Sequence, residues 1–284
     1  ELHAVPEPEP IAEEREPAPA RPALAPLGEP GPGLALAVRG LTKRYGATVA
    51  VDAIDLDVPS GCLYGFVGPN GAGKTTTLSM ITGLLHPDAG TAVVEGADIW
   101  ADPAEAKRSL GVLPDRLRLF DRLTGAEYLQ HAGALRGLDR ATIAARSADL
   151  VHAFGLESAS RRYVSEFSAG MVKKLAIAAA MIHGPRLLVL DEPFESVDPV
   201  SAELVIDVLR KFTQAGGTVL LSSHSMDLIQ RVCDHVAIIA DGRLLAAGPV
   251  AEVLDGASLE SRFVELAGGA TAVEGMEWLQ SFSD

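Results

Sequence analysis

Cysteine is scarce: Cys62 and Cys233 are the only two in 284 residues. Two cannot make a disulfide framework, and they lack metal-ligand spacing, so a reducing compartment fits. Basic residues are also short, with 24 Lys plus Arg against 38 Asp plus Glu and a net charge of −14. A phosphate-backbone partner wants the opposite sign, so no nucleic acid is expected as a partner. No apolar run approaches the ~18 residues that a membrane span needs. The acidic, proline-rich start does not read as a secretory signal. What is present is 48% hydrophobic residues, enough to bury a sizeable core and to exclude disorder of the whole chain.

Residues 1–33 hold nine of the 18 prolines and seven Glu against two Arg. With few branched apolar side chains this stretch cannot repay its ordering entropy, and a disordered, partly polyproline-like tail is expected. From Leu34 onward strand and helix signals interleave. LALAVRG (34–40), VAVDAIDLDV (49–58), CLYGFVG (62–68) and TAVVEG (91–96) read as strands, and Lys74 to Leu84 reads as a helix. LLVLD (187–191), TVLLSS (218–223) and HVAIIA (235–240) are continuous apolar runs, the pattern of parallel strands buried on both faces. VSAELVIDVLRKF (200–212) is a crossover helix, and Asp241-Gly242 is a two-residue hairpin signal. The expected fold is α/β: a mostly parallel core sheet, an N-terminal antiparallel β portion and an inserted helical subdomain over about 102–183. The main domain is expected over 34–249, with a helical extension over 250–284.

Residues 68–76 read GPNGAGKTT, matching G-x-x-x-x-G-K-[ST] between a strand and a helix, the context that gives the motif its meaning. The turn Gly68, Pro69, Asn70, Gly71, Ala72 and Gly73 would point its backbone N–H groups, Pro69 having none, inward around a polyphosphate, and the following helix adds its positive end. Lys74 can reach the β- and γ-phosphates, Thr75 can ligand Mg²⁺, and Thr76 continues the helix start. In LLVLDE, Asp191 emerges at the C-terminal end of a buried strand, where ligands of parallel sheets bind, and is suited to Mg²⁺. Glu192 points elsewhere and is suited to polarise an attacking water.

With these motifs in order, followed by LGVLPD (110–115), FSAGM (167–171), SVDP (196–199) and LSSHS (221–225), the chain resembles an ATP-binding cassette (ABC) ATPase. The likeness covers about residues 34–265. It implies a phosphate-loop NTPase that binds ATP and Mg²⁺. The helix start at Ser168, Ala169, Gly170 and Met171 would dock on the γ-phosphate held by a second ATPase protomer, a copy or a homologue. It implies that Tyr45 stacks on adenine, that His224 contacts the γ-phosphate as a catalytic partner of Glu192 and Lys74, and that Asp198 shapes the opposite site. Packing for Tyr45 and helix capping for Asp198 stay open as alternatives.

Two departures stand out. Asp115 replaces the usual glutamine, an acceptor where the family has donor and acceptor, and either meets the metal or stays in its loop. Phe167, Ala169 and Met171 replace the commonest signature residues, while Ser168 and Gly170 are kept. Leu119, Phe120, Leu123 and Tyr128 form either a groove for a helix of a membrane permease or the insertion's own small core. Together with SLESRFVEL (258–266), the motifs resemble bacterial export subunits for drugs, polyketides or lipids. The implied place is peripheral, on the cytoplasmic face of the plasma membrane. An importer ATPase and a soluble ATPase of translation or repair are the competing readings.

Overall fold

Two sheets and the helices between and around them carry the site. The structure, a computed structural model, describes residues 33–115 and 119–267. The tail over 1–32 and the end of the expected helical extension, 268–284, lie outside the described residues. The chain opens with two long strands, β1 (Leu34–Tyr45) and β2 (Thr48–Pro59), then β3 (Leu63–Val67), α1 (Lys74–Ile81), β4 (Ala89–Val94), β5 (Ala97–Asp98) and α2 (Pro103–Arg108). After β6 (Leu110–Leu113) come α3 (Gly125–Leu135), α4 (Arg140–Ala153) and α5 (Ala169–Met181). Then β7 (Leu187–Leu190), α6 (Pro199–Gln214), β8 (Thr218–Ser223), α7 (Met226–Val232), β9 (His235–Ala240), β10 (Arg243–Pro249), α8 (Val250–Leu254) and α9 (Leu259–Leu266) follow.

The first sheet is antiparallel, in the order β2-β1-β4-β5. The second runs β10-β9-β3-β8-β7-β6. All its pairs are parallel except β9 with β10. That exception closes through Asp241 (φ 49°) and Gly242 (φ 74°), both in the left-handed region that a tight hairpin needs. Strands β3, β7 and β8 are buried along their whole length, which is why their sequences are continuous apolar runs rather than alternating ones. One face of this sheet, through Tyr64, Phe66, Val189 and Leu220, packs with Leu36, Leu56 and Ile81 toward the antiparallel sheet and α1. The other face, through Val67, Leu188, Leu190 and Leu221, packs with Leu175, Ile206, Leu209 and Ile229 of α5, α6 and α7. Each such fully buried side chain contributes roughly 1.5–3 kcal/mol before entropy is subtracted.

The region expected to be helical from 102 needs a correction: β6 lies inside it, as the edge strand beside β7. Four residues bounded by Ser109 and Pro114 leave little periodicity to read. Gly111 shows why the strand fits there. A Cβ on it would sit 2.3 Å from the Ala180 carbonyl oxygen, so α5 lies almost directly on this backbone. The helices set apart from the sheet begin only at α3. A reciprocal capping box between Thr124 and Glu127 starts α3, and Asp139 caps α4. Helix α1 is also shorter than expected and stops at Ile81, where the Thr82 hydroxyl turns back to the Leu78 carbonyl at 2.8 Å.

His183, just past α5, joins these helices to β6. Its Nε2 lies 3.1 Å from the Leu110 carbonyl, and its Nδ1 is buried with no partner among the described residues. Burial, together with the Arg136 and Arg146 guanidiniums, brings the imidazole down to about 4. The unfolded chain therefore takes up this proton first, near pH 6.5. Its contribution is complete above pH 6.5 and is lost as the pH falls toward 4. Carboxylates held low by hydrogen bonds withdraw only below their ordinary values, 3.8 for Asp139 and 4.5 for Glu127, at the foot of that window. Melting temperature is expected to drop between pH 6.5 and 4 in the parent chain and to stay flatter there in His183→Gln. Parallel curves would show that His183 is not the titrating group.

Candidate functional site

Strand β3 delivers the chain into the turn Gly68–Gly73, and α1 leaves it at Lys74. Two glycines make the turn possible. A Cβ on Gly68 would lie 2.2 Å from the Ile239 carbonyl oxygen, and one on Gly73 (φ +100°) 2.5 Å from that of Ala50. The turn is thus pressed against β9 and β2, and only hydrogen side chains fit. The Lys74 side chain is buried, its ammonium donating to the carbonyls of Gly68 at 2.7 Å and Pro69 at 3.2 Å. The same nitrogen is 3.9 Å from Glu192 Oε1. A cation is therefore held over the turn by its own loop, in a position where phosphate oxygens can replace the carbonyls.

Opposite stands the end of β7. Asp191 is buried, and its N–H donates to the Leu113 carbonyl at 2.8 Å, so β6 fixes where the strand stops. Glu192 turns away with φ 46°, an uncommon conformation for a residue with a Cβ. Its Oε2 is 3.0 Å from His224 Nδ1 at the end of β8. A cavity of about 440 Å³ is lined by Asn70, Gly71, Ala72, Gly73, Lys74, Thr75, Thr76, Asp115, Glu192 and His224, with Ala50 and Glu195 added. A phosphate turn, an ammonium, carboxylates and an imidazole thus face one space large enough for a polyphosphate. A second cavity, about 520 Å³, begins at Glu192 and His224 and runs to Ser196, Val197 and Arg231.

The other residues singled out lie elsewhere. Ser168 caps α5, accepting the Met171 N–H at 3.3 Å, and is exposed along with Ala169. The Cβ position of Gly170 is 3.8 Å from Asp198 Oδ2, so these two meet. Asp198 caps α6 through the Ser201 N–H at 3.0 Å, and these hydrogen bonds hold its carboxyl below the usual range. The capping alternative for Asp198 therefore holds, and it leaves one face of the carboxylate beside Gly170. Ser168, Gly170, Met171 and Asp198 do not line the 440 Å³ cavity. Tyr45 is 52% exposed, with the Lys43 ammonium 5.9 Å from its ring centre. Of the groove candidates, Leu119 and Tyr128 pack partly into the core, while Phe120 is 58% exposed and meets His131 edge-on.

Two residues at the acids were not singled out from the sequence. The Ser222 hydroxyl donates to Asp191 Oδ1 and accepts the Glu192 N–H at 2.9 Å. The Lys173 ammonium donates to the Glu192 carbonyl at 2.8 Å. A serine two places before His224 and a lysine five places after Ser168 were the available signals.

A family model described as ABC transporter matches residues 51–195. The daunorubicin/doxorubicin resistance ATP-binding protein of Streptomyces peucetius is 41% identical over 222 residues, 78% of this chain and 67% of that protein. The Nod factor export ATP-binding protein I of Ralstonia nicotianae is 39% identical over 79% of this chain and 71% of its own length. Among solved structures, one described as an ATP-binding subunit of an ABC transporter superposes with a TM-score of 0.76 at 31% identity, covering 82% of this chain and 99% of that one.

Proposed function

The chain belongs to the ABC transporter family as an exporter-type ATPase subunit, and we infer from that membership how its residues share the work of binding and hydrolysing ATP. The observation that carries the reading is the convergence of Lys74, Glu192 and His224 on the cavity behind the phosphate turn. The reaction is ATP + H₂O → ADP + phosphate. The N–H groups of residues 70–76 cradle the phosphates, and the Lys74 ammonium leaves the Gly68 and Pro69 carbonyls for phosphate oxygens. Glu192 orients and polarises the attacking water, and His224 bridges its carboxylate to the γ-phosphate.

The donor set suits Mg²⁺. Thr75, Asp191 and Asp115 offer only oxygen, the choice of a hard cation. Among the described residues no group of three or more His, Cys, Asp or Glu forms a metal cage. That agrees with an ion that keeps waters and shares itself with substrate phosphates. Bound there, it would neutralise charge on the β- and γ-phosphates.

The start of α5, where Ser168 and Ala169 are exposed, is the natural docking point for the γ-phosphate of a second protomer, since neither Ser168 nor Gly170 lines the chain's own cradle. ATP would be sandwiched between two such chains, and closure would be driven by its tighter binding to the closed pair. Among the described residues no helix is long and apolar enough to cross a membrane; the relatives are named as ATP-binding proteins, which supports permease subunits as partners. The protein would sit peripherally on the cytoplasmic face of a bacterial plasma membrane. The relatives' names, drug resistance and Nod factor export, favour export over import and over a soluble role in translation or repair.

Lys74→Ala is expected to weaken ATP binding about 100-fold, since two charge-assisted contacts of ~1.5 kcal/mol or more are lost. Equilibrium dialysis with labelled ATP measures it, and unchanged affinity would contradict the cradle. Capture of the tagged chain from a detergent extract is expected to bring a polytopic membrane protein. Ribosomes or DNA in its place would sink the transport assignment.

A further inference from the structure

Glu192 is held in a conformation its side chain disfavours, and both of its backbone polar groups are bound by side chains from other elements. The φ of 46° lies in the left-handed region, which a residue with a Cβ occupies only where its surroundings insist. Its N–H donates to Ser222 Oγ at 2.9 Å. Its carbonyl accepts the Lys173 ammonium at 2.8 Å, besides a longer bond of 3.2 Å from the Glu195 N–H within the same turn. Ser222 is fully buried on β8 and spends its own proton on Asp191 Oδ1. One hydroxyl therefore sets the relation between the two neighbouring acids, on the strand that His224 directly follows. Lys173 lies on α5, five residues beyond its cap Ser168.

We propose that Lys173 and Ser222 are positioning residues that clamp the Glu192 backbone, aiming its carboxylate into the 440 Å³ cavity. The inference rests on the reading of Glu192 as the group that orients the water. It also goes beyond it, because the clamp ties that group to α5. The helix whose start would serve the partner's nucleotide is bonded, within the same chain, to the residue that serves the chain's own. A displacement of α5 on dimer closure is therefore delivered to Glu192 through a single side chain.

Neither residue touches the nucleotide in this arrangement, so affinity and turnover separate. Lys173→Met and Ser222→Ala are expected to lower kcat about tenfold or more, the effect of losing one charge-assisted or buried hydrogen bond. For Lys173→Met, KM and ATP affinity should stay within about twofold; Ser222→Ala also releases Asp191 Oδ1, so it is read by kcat at saturating ATP and Mg²⁺. Lys173→Arg, which keeps a donor, should recover most of the loss. In a Glu192→Gln background, Lys173→Met should cause no further fall in residual turnover, because the clamp then has nothing to aim. Melting temperatures of all variants are read alongside. Parent-like kcat in both single variants, with Glu192→Gln inactive, would overturn the clamp and leave the reading of Glu192 intact. So would losses that track a lower melting temperature and are not recovered by Lys173→Arg. Full turnover in Glu192→Gln itself would instead remove the reading beneath it.

Discussion

Glu192→Gln is expected to bind ATP at least as well as the parent chain and to lose turnover by roughly 10²–10⁴-fold, the range for removing a group that handles the proton of the reacting water. The substitution is close to isosteric, so the left-handed backbone and its bonds to Ser222 and Lys173 are kept. The side-chain oxygen can still face His224 Nδ1, which is 3.0 Å from the carboxylate. What disappears is the negative charge. The Lys74 ammonium, now 3.9 Å from Glu192 Oε1, loses a competitor for the phosphates, which is why affinity should hold or rise. With binding intact and hydrolysis stopped, closure has no exit, and a dimer should accumulate on addition of ATP and Mg²⁺. Gel filtration with and without nucleotide reads the dimer, and phosphate release reads the turnover. Hydrolysis at the parent rate would take Glu192 out of its role.

The parts of the site legible in the sequence are those built from consecutive residues. The glycine turn, Lys74 and the acids at the end of β7 follow from spacing alone, because a strand, a tight turn and a helix start fix their relative positions. Buried strands β3, β7 and β8 were legible because both faces are covered. Strand β6 was not: its four residues pair with β7 alone, and the reason for Gly111 lies 69 positions downstream at Ala180. Ser222 and Lys173 were hidden for the same reason, since their meaning is a backbone group on another element. The groove candidates show the limit of reading apolar residues without contacts. Tyr128 packs partly into the core while Phe120, in the same segment, faces outward. Asp198 carries two readings at once, because a helix cap and a neighbour of Gly170 can be the same carboxylate.

The proposed sandwich makes a prediction that no single-chain site can meet. Gly170→Asp adds a carboxylate at the start of α5, where a partner's γ-phosphate would dock. Outside its own helix turn nothing lies nearer than 3.8 Å to the new Cβ, so the backbone accepts it; Gly170 is itself buried, so the melting temperature of the variant is read alongside. The cost falls on a second negative charge brought to that place, already beside Asp198. This variant should bind ATP in its own cradle yet lose turnover, while Lys74→Ala loses binding but keeps a sound α5. Each alone is inactive. Mixed in equal amounts, half of randomly formed dimers join one of each. The intact cradle of one then faces the intact helix start of the other, one complete site in two. If the sites act independently, about one quarter of parent activity should return on mixing. A site completed within one chain would give no recovery, because neither variant carries both halves. Recovery that scales with the square of protein concentration at high dilution would identify the pair as the working unit.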